Sequence, residues 1–176
     1  MSSPAIRAGA TQLKGNPVDL RGPALKVGDR APVAEVVDAS LATVKVGGPA
    51  DKVRIFSTVP SLDTPVCDLE TRRFNTEAGQ LPGVAIDTIS VDLPMAQKRW
   101  CGAAGVSAVR TLSDHRATAF GDAYGVTIAS GPLTRFLARA VFVVDRAGTL
   151  RHVEYVADIT KEPSYDAALA AAKAAT

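Results

Sequence analysis

The sequence predicts an α/β protein built on one mixed β-sheet that is covered on both faces and flanked by helices. Three observations carry that prediction: a strand, helix, strand unit between residues 52 and 92, a hairpin over residues 139–156, and an alanine-rich helix closing the chain.

In the central unit, KVRIFSTV (52–59) is rich in β-formers, CDLETRRFNTEAG (67–79) carries helix formers and ends in glycine, and VAIDTISVD (84–92) is strand-like again. Leu81, Pro82 and Gly83 punctuate the second connection, and the unit's length suits a parallel pair joined by a right-handed crossover. Ahead of it, ATQLKGNPVDL (10–20) reads as a hairpin about a Gly-Asn-Pro turn. VAEVVDASLATVKVGG (33–48) reads as a second extended pair closed by Gly47 and Gly48. After it, PMAQKRWCGAAG (94–105) is a helix opened by Pro94, with Gly102 and Gly105 weakening its end. VRTLSD (109–114) is a short strand, and HRATAFGDAYG (115–125) is a helical region that breaks at Gly121 or Gly125. In RAVFVVDRAGTLRHVEYV (139–156) two apolar runs join around Ala147 and Gly148, and Pro163 and Ser164 mark the start of the final helix, SYDAALAAAKAA. With no repeat, linker or second core in view, residues 1–176 read as a single domain with an N-terminal hairpin addition at about 10–20. The order of elements permits, without dictating, a thioredoxin-like arrangement.

Composition narrows the function classes. A chain of 176 residues with 47% hydrophobic side chains suffices for one soluble domain with a sizeable core. Twenty basic against eighteen acidic side chains leave a formal charge of +2, and no run of like charge tracks a phosphate backbone, so nucleic acid is not an expected partner. No segment approaches the roughly 20 apolar residues that span a bilayer. The opening MSSPAIRAGATQLKGNPVDL breaks any apolar signal stretch with turn formers and charges. The expectation is a cytoplasmic protein with no membrane association. Cys67, Cys101, His115 and His152 are dispersed without the pair spacings of a zinc site, so no metal is expected.

The chemistry concentrates in TVPSLDTPVC (58–67), where a strand ends and a helix begins. Thr64 fits the N-cap and Pro65 fits N1, where its missing N–H has no intrahelical partner; Cys67 then falls at N3. First-turn amides and a nearby guanidinium stabilise a thiolate over a thiol, which would make Cys67 nucleophilic and open to an oxidant. Cys67 reads equally as a small hydrophobe packed under the helix, and position alone leaves both readings open. Thr64 has two compatible roles, as a cap and as a donor pointed at a bound substrate oxygen, orienting the reacting group beside the sulfur. Arg139, just before AVFVVD, reads by position as a surface ion-pairing residue. Helical periodicity turns Arg72 and Arg73 away from the cysteine, toward solvent or ion pairs. Asp68 and Glu70 favour the helix N-terminus but oppose thiol ionisation if they face the sulfur. His115 and His152 have no local tie to Cys67, and Trp100 fits either an interface or a core.

The spacing of Pro60, Thr64 and Cys67 in PSLDTPVCDLETRRFN resembles the peroxiredoxin active-site pattern: a proline, three residues, Thr or Ser, two residues and the peroxidatic cysteine. LPGVAIDTISVDLPMAQKRWC, VRTLSD, LARAVFVVD and ITKEPSYDAAL extend the likeness to the thiol peroxidase subfamily, the atypical two-cysteine peroxiredoxins, over about residues 10 to 170. That resemblance implies a thioredoxin-like (peroxiredoxin) fold and thiol-dependent reduction of hydrogen peroxide and organic hydroperoxides. It implies that Cys67 attacks the peroxide, Cys101 resolves the sulfenic acid as an intramolecular disulfide, Thr64 and Arg139 hold and polarise the peroxide, and Pro60 shapes the pocket. It further implies thioredoxin as reductant, a homodimer with its interface near the active-site face, and no flavin, haem or metal. Two other functions remain to be weighed. A thiol-disulfide oxidoreductase usually shows CxxC at this junction, whereas Cys67 stands alone; a binding or chaperone-like protein could use the same scaffold without turnover. Resolution requires the two cysteine Cα atoms within roughly 7 Å, so local unwinding of one or both helices is expected, eased by Gly102 and Gly105.

Overall fold

The computed structural model describes residues 4–176. The chain opens with β1 (Ile6–Leu13) and β2 (Asn16–Arg21), an antiparallel hairpin. The hairpin begins earlier than predicted, and its tip is Lys14–Gly15 rather than Gly-Asn-Pro. Both tip residues have positive φ, 52° and 81°, the conformation that a two-residue hairpin turn needs, and Pro17 sits in the strand opposite Gln12. The predicted second pair follows as β3 (Ala34–Val37) and β4 (Thr43–Val46). The central unit is β5 (Val53–Thr58), α1 (Pro65–Ala78) and β6 (Val84–Ser90). It is followed by α2 (Pro94–Ala104), β7 (Arg110–Ser113), α3 (Ala119–Ala123) and β8 (Thr127–Ile128). The chain ends with β9 (Ala140–Val144), β10 (Leu150–Tyr155) and α4 (Tyr165–Ala174).

Two predictions in the middle of the chain need correction. The helix expected over 115–125 is only the five-residue α3, because Thr118 takes a left-handed φ of 51° and the Asp114 carboxylate accepts the Phe120 and Gly121 amides that would otherwise open a longer helix. The two-residue β8, too short to show any periodicity, was not anticipated; it pairs with β2 to make a small sheet ordered β1-β2-β8.

The large sheet has the order β10-β9-β5-β6-β7-β3-β4, with β5, β6 and β7 parallel and the remaining pairings antiparallel. Every residue of β5 is buried, as a central strand covered on both faces must be. Val53 and Ile55 point to one side with Val141 and Val143 of β9, and meet Phe74 of α1 and Tyr165 and Leu169 of α4. Phe56 and Phe142 point to the other side, where Phe120 and Tyr124 stack at 4.0 Å and present edges to them. That second face is closed by the small sheet, through Val18, Leu20 and Ile128, together with the short α3. Helices therefore cover one face, and the N-terminal hairpin does most of a helix's work on the other.

Candidate active site

The β5 strand delivers the chain to Pro60, which is buried, and a short loop leads to Thr64 and the first turn of α1. Pro65 occupies N1, so Cys67 stands at N3 as the sequence requires. From there α1 buries Cys67, Glu70, Thr71 and Phe74, a stripe with helical spacing that faces the sheet.

The backbone of Thr64 is extended, as an N-cap should be, but its hydroxyl makes no capping bond. It lies 2.7 Å from the Cys67 sulfur and 3.0 Å from the Ser61 carbonyl instead, so the hydroxyl turns toward the sulfur and does not cap the helix. Arg139 precedes β9, whose Ala140 pairs with Thr58 at the end of β5. That pairing brings the guanidinium over the start of α1, where Nη2 donates to the Cys67 sulfur at 3.3 Å and Nε to the Ile159 carbonyl at 3.0 Å. Arg139 is only 2% exposed, which overturns the surface reading that position alone favoured. A planar fork with several donors suits this one-to-many contact better than an ammonium.

Glu70 supplies what the sequence reading missed. Read there as a helix-dipole residue, it is fully buried and ion-pairs with Nη1 of Arg139, while its other oxygen accepts the Ser57 hydroxyl at 2.5 Å. Burial pushes the Glu70 carboxyl up to about 7 against the opposing pull of Arg139 and Ser57. Burial pulls the Arg139 guanidinium down, but Glu70 and Cys67 outweigh it and the net shift is upward. The available signal was an acidic residue three positions after Cys67 on the buried stripe of α1. Asp68, by contrast, turns from the sulfur: it accepts Trp100 Nε1 at 3.1 Å and pairs with Arg72 at 2.8 Å. Arg72 also donates to the Ala104 carbonyl at the end of α2 and lies over the Trp100 ring, so α1 and α2 are tied by polar groups. Arg73 covers the Tyr165 ring and pairs with Asp166.

Above the sulfur lies a cavity of about 210 Å³ lined by Pro60, Thr64, Val66, Leu133, Phe136 and Arg139, among others, with walls that are mostly apolar. Cys67 is 0% exposed, so its sulfur lies beneath the groups that pack over it. Thr64 and Arg139 both line this cavity and both contact the Cys67 sulfur. Cys101, in the last turn of α2, is half-buried with its sulfur 3.6 Å from the Thr111 hydroxyl; both cysteines are free thiols. Cys67 and Cys101 belong to different apolar clusters, and Trp100 packs against both. His115 contacts Ser113 and His152 approaches Glu154, so neither joins this site. Among the described residues, no three His, Cys, Asp or Glu side chains gather as a metal would require, and no helix is long and apolar enough to cross a membrane.

Comparison with known proteins gives this arrangement a family. The Redoxin family matches residues 26–169. A thiol peroxidase of Halalkalibacterium halodurans is 52% identical over 162 residues, covering 92% of this chain and 96% of the relative. The chain belongs to the thiol peroxidase family of peroxiredoxins. A thiol peroxidase of Bacillus subtilis is 50% identical, covering 92% of this chain and 95% of its own. The crystal structure of a peroxiredoxin-like protein from Aquifex aeolicus superposes with a TM-score of 0.92 at 46% identity, covering 99% of this chain and all of that one. A thiol peroxidase from Chromobacterium violaceum, at 22% identity and a TM-score of 0.81, shares the fold. The fold is thus thioredoxin-like, as expected, and the chain is a thiol-dependent peroxidase.

Proposed function

We propose that this peroxidase reduces hydrogen peroxide and organic hydroperoxides through Cys67, with Cys101 as the resolving thiol. The observation that carries the reading is the Cys67 sulfur receiving both the Thr64 hydroxyl and the Arg139 guanidinium behind a cavity large enough for a small hydroperoxide. In the first step the thiolate attacks the terminal peroxide oxygen. The O–O bond breaks, Cys67 becomes the sulfenic acid, and the departing alkoxide or hydroxide takes a proton to leave as alcohol or water. Charge grows on the leaving oxygen, and Thr64 and Arg139 at the cavity wall are placed to donate to it in the transition state. Pro60 fixes the back of the pocket. The apolar walls around Leu133 and Phe136 suit the alkyl part of an organic hydroperoxide.

In the second step the Cys101 thiol condenses with the sulfenic acid, forming the Cys67–Cys101 disulfide and releasing water. Because Cys101 sits in a separate cluster and both cysteines stand in formed helices, this step involves local unwinding of one or both helices, including the last turn of α2. Gly102 and the left-handed Gly105 cap lower its cost. A dithiol donor then returns both cysteines to thiols by exchange, and we assign that role to thioredoxin. The same reading takes residues 1–176 as one domain with the hairpin as its extension, acting in the cytoplasm as a homodimer through the active-site face. Hydroperoxide loss coupled to thioredoxin oxidation tests it: turnover is expected in the wild type and none in Cys67→Ser. A wild-type protein without turnover overturns the reading in favour of a non-catalytic role.

A further inference from the structure

The loop that carries Thr64 has little holding it. Asp63, Thr64 and Pro65 are exposed, and only Leu62 is buried between Pro60 and the helix. From outside the loop, Arg99 of α2 only approaches Asp63 at 4.0 Å between exposed side chains, and the hydrogen-bonded restraint is Asp92, in the turn between β6 and α2. One carboxylate oxygen accepts the Ser61 hydroxyl at 2.7 Å; the other accepts the Leu62 amide at 2.8 Å and the Ser90 hydroxyl at 2.8 Å. Asp92 is itself held from behind, since its carbonyl accepts the Ser113 hydroxyl of β7 at 2.5 Å. The Ser90 hydroxyl in turn accepts from the buried Gln97 amide at 3.0 Å. Three donors on one carboxylate make a clamp that joins the central sheet to the loop.

The clamp bears on the chemistry through the Ser61 carbonyl. The Thr64 hydroxyl has one proton and two acceptors within reach, the Ser61 oxygen at 3.0 Å and the Cys67 sulfur at 2.7 Å. While the sulfur is a thiol, it can donate to the Thr64 oxygen and the hydroxyl proton rests on Ser61. Once the sulfur is a thiolate, the same proton turns to it. The Ser61 carbonyl also accepts the Thr64 amide at 3.2 Å, so where Ser61 sits sets where Thr64 and its hydroxyl lie relative to the sulfur. We propose that Asp92 is a positioning residue for peroxide reduction, clamping Ser61 and Leu62 so that the Thr64 hydroxyl is aimed at Cys67. The proposal rests on the peroxidase reading above.

The test measures how fast Cys67 is oxidised by one equivalent of hydroperoxide, with acid quenching and mass spectrometry of the thiol. Asp92→Ala is expected to slow that oxidation about 10-fold through misaimed donors, while leaving the KM for thioredoxin unchanged. Asp92→Asn should restore the rate to within about twofold, because an amide can accept from Leu62 and donate to the Ser61 oxygen. In a Thr64→Val background, Asp92→Ala should cost no more than about a further twofold, since the group it aims is gone. Ser61→Ala, which removes only a hydroxyl, serves if Asp92→Ala fails to fold: a loss of about threefold that vanishes in the Thr64→Val background has the same meaning. Wild-type rates in both Asp92→Ala and Ser61→Ala, or losses that multiply fully with Thr64→Val, overturn the proposal. A wild-type protein that consumes no peroxide overturns the peroxidase reading instead.

Discussion

Replacing Glu70 with Gln should change how stability depends on pH, and the size of the change follows from its burial. Glu70 is fully buried, its nearest charged group is Arg139, with Cys67 on the same guanidinium and Glu154 as a further acidic influence. Its carboxyl is pushed from 4.5 in the free side chain to about 7 in the folded protein, chiefly by burial. The folded state therefore binds this proton more tightly than the unfolded chain does. Its contribution is fully present below about pH 4.5 and is lost as pH rises through about 7. At 1.36 kcal/mol per pH unit, the shift corresponds to about 3 kcal/mol. The assay is urea unfolding of reduced wild type and Glu70→Gln between pH 4.5 and 8. Asp114, raised to about 6 by burial, adds a slope of the same sign to both proteins and cancels in their difference. The wild type should gain about 3 kcal/mol relative to the variant as pH falls across that range. Parallel curves for the two proteins would show that Glu70 stays ionised throughout, held by Arg139, and would refute the reasoning.

Other substitutions separate the roles around the sulfur. Arg139→Lys cannot serve Cys67, Glu70 and the Ile159 carbonyl together, so peroxide reduction should fall on the order of 100-fold in kcat/KM, measured by stopped-flow with excess thioredoxin. The same variant should lose about 3 kcal/mol in urea unfolding, because Glu70 keeps its burial and loses its fitted partner. Cys101→Ala should undergo a normal first oxidation, then fail to recycle with thioredoxin; mass spectrometry should find sulfenic acid on Cys67, and an untouched thiol there contradicts the assignment. Arg72→Ala removes the tie to the Ala104 carbonyl and the cover on Trp100. It should raise hydrogen exchange across residues 100–105 and speed disulfide formation without altering the first oxidation. Unchanged exchange there would place the restraint on α2 elsewhere.

Much of the fold is readable because its signals are local. Pro65, the glycine after α1 and the β-branched runs at 53–58 and 84–90 mark the central unit with no knowledge of the rest of the chain. Cys67 could be placed at N3 for the same reason. The departures have physical causes that the linear pattern does not carry. The Lys14–Gly15 tip depends on two left-handed residues, one of them lysine; α3 is cut short by a backbone turn at Thr118; β8 is defined by long-range pairing with β2 and by the turn back to residues 135–137. The site divides in the same way. Thr64 and Cys67 are three residues apart, but Glu70 meets Arg139 across 69 residues and Asp92 meets Ser61 across 31. Polar partners of this kind, buried for Glu70 and Arg139 and partly buried for Asp92 and Ser61, look like ordinary surface groups until the sheet brings them together.

Trp100 is the chain's only tryptophan, and its indole is shared between the packing around Cys67 and the packing around Cys101. Its ring nitrogen is anchored on α1 while its backbone belongs to α2, the helix that carries Cys101. The molecule thus carries an intrinsic fluorophore at the seam between its two sulfurs, and each step of the redox cycle should register as a change in emission without any attached dye.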